Sequence, residues 1–167
     1  RVIEDAAQAI GQTYKDKQCG SFGDISIFSF YPNKHITTGE GGMVLCNDDF
    51  LDKRSKSLRN LCFGDQRFVH DEIGFNYRMT NMQAAIGVAQ LERINQIVEK
   101  KRWIGEIYNS LLRDLDMLNL PIKSTNYCEN IYWVYAITLK DDHSKTASQI
   151  MLELGEYKIG TRPFFYP

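Results

Sequence analysis

The sequence predicts an α/β fold that passes through a long helix into an α+β segment, and three patterns predict it. The first half alternates short apolar runs with glycine-rich and polar turns. From Ile86 to Leu115, apolar residues recur at three- and four-residue steps, the period of a helix with one buried face. Beyond Pro121 come one more apolar run and a short capped segment, the pattern of an α+β unit.

Val2-Ile3 is the first strand end. Ile25–Phe30, apolar with small polar residues interleaved, is a strand, and Met43–Cys46 another. Gly39-Glu40-Gly41-Gly42 between them is a turn, because glycine tolerates positive φ. Asn47-Asp48-Asp49 suits a helix start, with the helix running from Phe50 to Asn60. Thr80 and Gln83 fit a capping box, in which hydroxyl and amide satisfy the first free backbone donors. The helix they open is expected to run on to Leu115, bending near Gly105, with Pro121 marking its exit. Tyr132–Leu139 is predicted as a strand. Thr146 or Ser148 starts a helix that Gly155 closes, and Lys158-Ile159-Gly160 leads into a final strand.

Composition excludes several classes. With 43% hydrophobic and 25% charged residues in 167, the chain is ordinary globular protein, long enough for a sizeable core. A net charge of −1 offers no global field for nucleic acid or an anionic membrane. No apolar run reaches the length of a membrane span. Cys19, Cys46, Cys62 and Cys128 form no CxxC pair, and with His35, His70 and His143 they give no metal-ligand spacing. Scattered thiols of this kind point to a reduced, cytoplasmic setting. The chain opens on Arg1 inside a strand-like run and stops after an aromatic cluster, so a piece of a longer protein is expected. The histidines are expected in loops or at the surface, and Tyr132, Trp133 and Tyr135 in the core.

Four motifs carry candidate chemistry. Glu4-Asp5-Ala6-Ala7-Gln8 follows a strand end, where α/β sheets hold ligands. Asp5 there either faces a bound ring or caps a helix. Ser29-Phe30-Tyr31-Pro32-Asn33-Lys34 follows the next strand. Lysine forms Schiff bases with aldehyde cofactors, and partial burial lowers its pKa enough for the neutral amine to attack; a solvated surface lysine is the competing account. Thr37-Thr38-Gly39-Glu40-Gly41-Gly42 matches neither phosphate-loop pattern and is expected to set the pose of the lysine before it. Asn76 and Arg78, in Gly74-Phe75-Asn76-Tyr77-Arg78-Met79, lie just ahead of a helix start and could meet an anion, or simply pair with a surface carboxylate.

Taken in order, Asp-x-x-Gln after a strand, Ser-x-x-x-x-Lys, TTGEGG, GFNYRM and QAAIGVAQL resemble the DegT/DnrJ/EryC1/StrS family of sugar aminotransferases, which are fold-type-I pyridoxal-phosphate enzymes. The resemblance runs unbroken from about Val2 to Leu115. The ending Gly160-Thr161-Arg162-Pro163-Phe164-Phe165-Tyr166-Pro167 is similar to members that make perosamine on a GDP carrier.

The resemblance implies part of a large domain with a mixed, mostly parallel sheet over residues 1–95, a connecting helix over 96–118, and an incomplete small domain over 119–167. It implies that Lys34 bonds to pyridoxal 5'-phosphate, that Asp5 pairs with the protonated pyridine nitrogen, that Gln8 contacts the cofactor ring, and that Ser29 binds the phosphate. Asn76 would reach the phosphate of a neighbouring subunit's cofactor in a homodimer, with Arg78 as the alternative. Arg162 either meets a substrate carboxylate or diphosphate, or is structural. The implied reaction moves an amino group from L-glutamate to a nucleotide-linked 4-keto-6-deoxy sugar, with Lys34 as base and acid and no metal. A sugar dehydratase, which in this family has His in place of the lysine, and a non-catalytic binding or assembly module are the competing functions.

Overall fold

The computed structural model describes residues 1–66 and 68–165. Tyr166 and Pro167, the end of the perosamine-type motif, lie outside the described residues. The chain divides into two compact units. The first takes Arg1–Arg102 with Ser124–Trp133, and the second takes Trp103–Lys123 and the chain from Val134 onward.

The first unit is built on a three-stranded mixed sheet, ordered β1 (Ile3–Asp5), β4 (Ile25–Ser29), β5 (Gly42–Cys46). β1 pairs parallel to β4, with Asp5 opposite Ile27, and β5 pairs antiparallel to β4, with Gly42 opposite Ser29. Between β1 and β4 the chain makes a small hairpin, β2 (Thr13–Tyr14) and β3 (Lys17–Gln18). Lys15 and Asp16 at its tip both take positive φ, the tight two-residue turn that matches strand twist.

Helix α1 (Asp49–Arg59) starts where the sequence placed it. The Asp48 carboxylate accepts from the N–H groups of Phe50 and Leu51 at 2.9 and 3.0 Å. Helix α2 (Asn81–Leu91) opens on the predicted capping box between Thr80 and Gln83. Under the sheet, Ile10, Phe30 and Ile36 form a buried core against which Phe28, Met79, Ile94 and Ile97 pack.

The single long helix does not hold. α2 ends at Leu91, and a separate helix, α3 (Ile94–Leu112), begins after Glu92-Arg93. At the junction the Arg93 N–H bonds to the Gln90 carbonyl, three residues back instead of four, which tightens the turn and restarts the ladder. Gly105 lies buried inside α3, and no break occurs there.

The predicted strand Tyr132–Leu139 is also corrected. Only Thr138–Leu139 is strand (β7), paired with β6 (Leu118–Asn119) in the second unit. Ahead of it the backbone carbonyls are taken by side chains. Arg102 Nε donates to Asn130 O (3.4 Å), His35 Nε2 to Ile131 O (3.1 Å) and Lys101 Nζ to Trp133 O (3.2 Å). Tyr132 takes φ +47°, and its N–H bonds to the Asn130 side chain at 2.7 Å. A left-handed residue with its donor already used cannot continue a ladder.

The second unit carries the end of α3, the β6–β7 pair and α4 (Ala147–Glu156). Thr146, not Ser148, caps α4, again through a capping box with Gln149. Gly155 lies within α4 instead of closing it, and no strand follows among the described residues. Tyr108 and Tyr135 stack at 4.7 Å, and the Tyr135 hydroxyl donates to Asn109 at 2.6 Å.

Candidate active site

Asp5 ends β1 and Ser29 ends β4, so both stand at the carboxyl edge of the parallel pair. Directly opposed and alternate residues share a face of a sheet, so Asp5, Ile27 and Ser29 lie on one face and Glu4, Ser26 and Phe28 on the other. The first face is open. Asp5 is exposed, and Ile27 and Val44 retain 37% and 47% of their accessible surface. The carboxyl edge of a parallel pair is where such sheets bind ligands.

Lys34 follows from β4 through one turn. The Tyr31 N–H bonds to Ser29 Oγ at 3.3 Å, and the Lys34 N–H bonds to the Tyr31 carbonyl at 3.0 Å. Pro32 sits at the second turn position, where its fixed φ fits. The Lys34 amine has no hydrogen bond or ion pair among the described residues. It stands 4.0 Å from the ring centroid of Trp133. Burial pushes its pKa below the usual lysine value, and the Asp5 carboxylate pushes in the opposite direction without cancelling the fall. The Asp5 carboxylate therefore acts on the Lys34 amine across the strand edge.

Asp5 is not a helix cap. Its Oδ1 accepts the Ala7 N–H at 3.0 Å, and the chain turns without forming a helix, the Ala9 N–H closing on the Ala6 carbonyl at 2.9 Å. Its Oδ2 accepts no hydrogen bond among the described residues. Gln8 is exposed on that turn and makes no side-chain hydrogen bond among the described residues.

The Thr37–Gly42 turn is tied down on several sides. Thr38 N–H and Thr37 Oγ1 both donate to the Phe30 carbonyl, at 3.0 and 2.8 Å. From α2, Gln83 Nε2 reaches Glu40 O at 3.1 Å, and Gln90 holds Thr37 by both of its backbone groups. Gly41 takes φ +152°, and a Cβ there would strike Thr38 Oγ1 and Met79. At Gly87 a Cβ would come within 3.0 Å of Thr38 Cγ2, so α2 lies close against the turn.

Asn76 and Arg78 are brought together: Arg78 Nε donates to Asn76 Oδ1 at 2.9 Å, and its NH1 to Asn60 Oδ1 at 3.3 Å. No surface carboxylate takes Arg78 among the described residues. Arg162 belongs to the second unit and is exposed.

Three contributors were not anticipated. Trp133, expected in the core, lies over Lys34 and donates its indole N–H to the Asn33 carbonyl at 3.1 Å. His35 lies in a loop, as expected, but is 5% exposed and points at the Ile131 carbonyl. Glu4 accepts the N–H groups of Gly20, Phe22 and Gly23 and the Ser26 hydroxyl, which fixes the strand that ends in Asp5. Among the described residues there is no cluster of three His, Cys, Asp or Glu able to hold a metal, and no helix long and apolar enough to cross a membrane.

Comparison with known proteins gives the family and the fold. The family model of the DegT/DnrJ/EryC1/StrS aminotransferases matches residues 1–167. The chain is 45% identical over 167 residues to a GDP-perosamine synthase of Vibrio cholerae, covering 99% of this chain and 45% of that protein. It is 42% identical over 168 residues to the GDP-perosamine synthase of Caulobacter vibrioides, with the same coverage. Among solved structures, Helicobacter pylori PseC, an aminotransferase involved in the biosynthesis of pseudoaminic acid, superposes with a TM-score of 0.90 at 26% identity, over 99% of this chain and 45% of that one. The chain thus spans a little under half the length of the relatives it matches, and its fold is the fold-type-I aminotransferase fold. With the model matched from the first residue to the last, the chain belongs to the DegT/DnrJ/EryC1/StrS aminotransferase family.

Proposed function

We propose that the whole protein is a pyridoxal-phosphate-dependent aminotransferase that moves an amino group from L-glutamate to a nucleotide-linked 4-keto-6-deoxy sugar, of perosamine type on a GDP carrier. One observation carries the reading: an unpaired amine at Lys34, its pKa lowered by burial, lies in the field of the Asp5 carboxylate at the carboxyl edge of the sheet. The names of the relatives from Vibrio cholerae and Caulobacter vibrioides support the sugar and the nucleotide.

The residues present fit the cofactor. Pyridoxal phosphate, when bound, supplies an aldehyde and an electron-withdrawing ring. Lys34 Nζ is the nucleophile for that aldehyde, and the lowered pKa raises its neutral fraction. Asp5, with Oδ2 open, would face the pyridine nitrogen and favour its protonated form. Ser29 Oγ would donate to the phosphate, and Gln8 would lie against the ring. Once displaced by the donor amine, Lys34 Nζ would take the proton from one carbon and return it to the other. Asn76, held by Arg78, would reach the phosphate of a partner subunit's cofactor in a homodimer, and Arg162 would meet the substrate. In this reading residues 1–95 belong to the cofactor domain, 96–118 to the connecting helix and 119–167 to the small domain. The four free thiols fit a cytoplasmic enzyme.

The test is Lys34→Ala in the whole protein. Borohydride reduction followed by peptide mass mapping should place a cofactor adduct on Lys34 in the native protein and nowhere in the variant. Product mass after incubation with L-glutamate and a panel of nucleotide keto sugars should show amine transfer lowered at least about a hundredfold. An adduct or full activity that survives the substitution rejects the assignment.

A further inference from the structure

Among the described residues, Trp133 is the aromatic ring set against the Lys34 amine. Its ring centroid lies 4.0 Å from Lys34 Nζ, inside the range over which an indole face attracts an ammonium. The ring is also anchored to the turn that bears the lysine, through its N–H bond to the Asn33 carbonyl at 3.1 Å. Its own backbone carbonyl is held from α3 by Lys101 at 3.2 Å. A side chain fixed at both its indole and its backbone has little freedom to leave.

From this geometry we propose that Trp133 is a positioning residue for Lys34: its indole face holds the amine whenever Lys34 is not bonded to the cofactor. The inference rests on the Lys34 reading above. A lysine released during turnover must stay near the carbons between which it moves a proton, and the side chain has four rotatable bonds with which to wander. An aromatic face satisfies the amine without a hydrogen bond that would have to be broken before each attack. It also favours the charged form, so it moderates the fall in pKa that burial imposes.

The charged groups around the amine are few. Asp5 approaches from the end of β1, Lys101 from α3 is engaged at the Trp133 carbonyl, and the neighbouring His35 ring is turned to Ile131, its pKa lowered by burial. Replacing Trp133 leaves these in place, so a change in the titration of Lys34 reports the ring.

The experiment uses the full-length protein stripped of cofactor. Competitive acetylation with acetic anhydride across a pH series, read at the Lys34 peptide by mass spectrometry, gives the pH at which the amine becomes half reactive. In Trp133→Leu, which keeps apolar bulk and removes the ring, that midpoint should fall by about half a pH unit. Trp133→Phe, which keeps a weaker π face, should fall in between. A midpoint that stays or rises in Trp133→Leu overturns the proposal, and if that variant does not fold, an unshifted Trp133→Phe does so. Because the labelling needs no cofactor, it stands whether or not borohydride reduction finds the adduct on Lys34.

Discussion

The side-chain amide of Gln90 closes both backbone groups of Thr37, accepting from its N–H at 3.1 Å and donating to its carbonyl at 2.7 Å. This ties the turn behind Lys34 to α2. Gln90→Ala leaves a part-buried donor and acceptor without partners, which should cost about 1–3 kcal/mol. Urea unfolding measures the loss, and limited proteolysis should show new cuts between Thr37 and Gly42. A variant as stable and as resistant as the native protein would show that the turn holds itself.

Glu4 gives the protein an acid-sensitive joint. Burial pushes its carboxyl up, but the N–H bonds from Gly20, Phe22 and Gly23 and the Ser26 hydroxyl more than offset this, so its pKa lies below the usual carboxylate value. A carboxyl depressed in the folded state stabilises fully above its unfolded pKa of about 4.3, and that contribution is lost as pH falls through the folded value. Glu4→Gln should therefore be less stable than the native protein at neutral pH, with the gap narrowing in acid. Urea midpoints at several pH values check this, and a gap that does not change with pH would refute it.

His35 acts at higher pH. Its burial lowers the ring pKa, the Ile131 carbonyl raises it in part, and the charge of Lys101 lowers it again. The folded protein binds the proton less readily than the unfolded chain. Stability should fall as pH drops below the unfolded value of about 6.5, by at most about 1.4 kcal/mol per pH unit for one proton. His35→Gln, which keeps a donor for Ile131, should flatten that slope, as read by thermal unfolding between neutral and mildly acid buffers. An unchanged slope would assign the proton elsewhere.

What could be read ahead of the structure was mainly what is local. Asp48, Thr80 and Thr146 satisfy N–H groups two or three residues away, so their caps are written in adjacent letters. The β4 strand and the glycine turn are likewise short-range patterns. The break at Glu92-Arg93 left no trace, since Leu91, Ile94, Ile97 and Val98 carry the three- and four-residue rhythm straight across it. The segment ahead of Thr138 left none either. Its apolar residues suit a strand, and what decides otherwise is the left-handed Tyr132, its N–H on the Asn130 side chain, together with donors arriving from His35, Lys101 and Arg102. The place of Trp133 is illegible in sequence for the same reason: a ring over a lysine is a contact between distant parts of the chain, and periodicity does not record it.

The bond from Trp133 to Asn33 spans 100 residues of chain. Closing so wide a loop is entropically slow and contributes late, after local helices and hairpins have formed. During synthesis the lysine turn is made long before its aromatic partner leaves the ribosome. The Lys34 amine is therefore unshielded in the nascent polypeptide and reaches its final surroundings only when residues 124–133 dock, which makes the setting of that amine one of the last features this unit acquires.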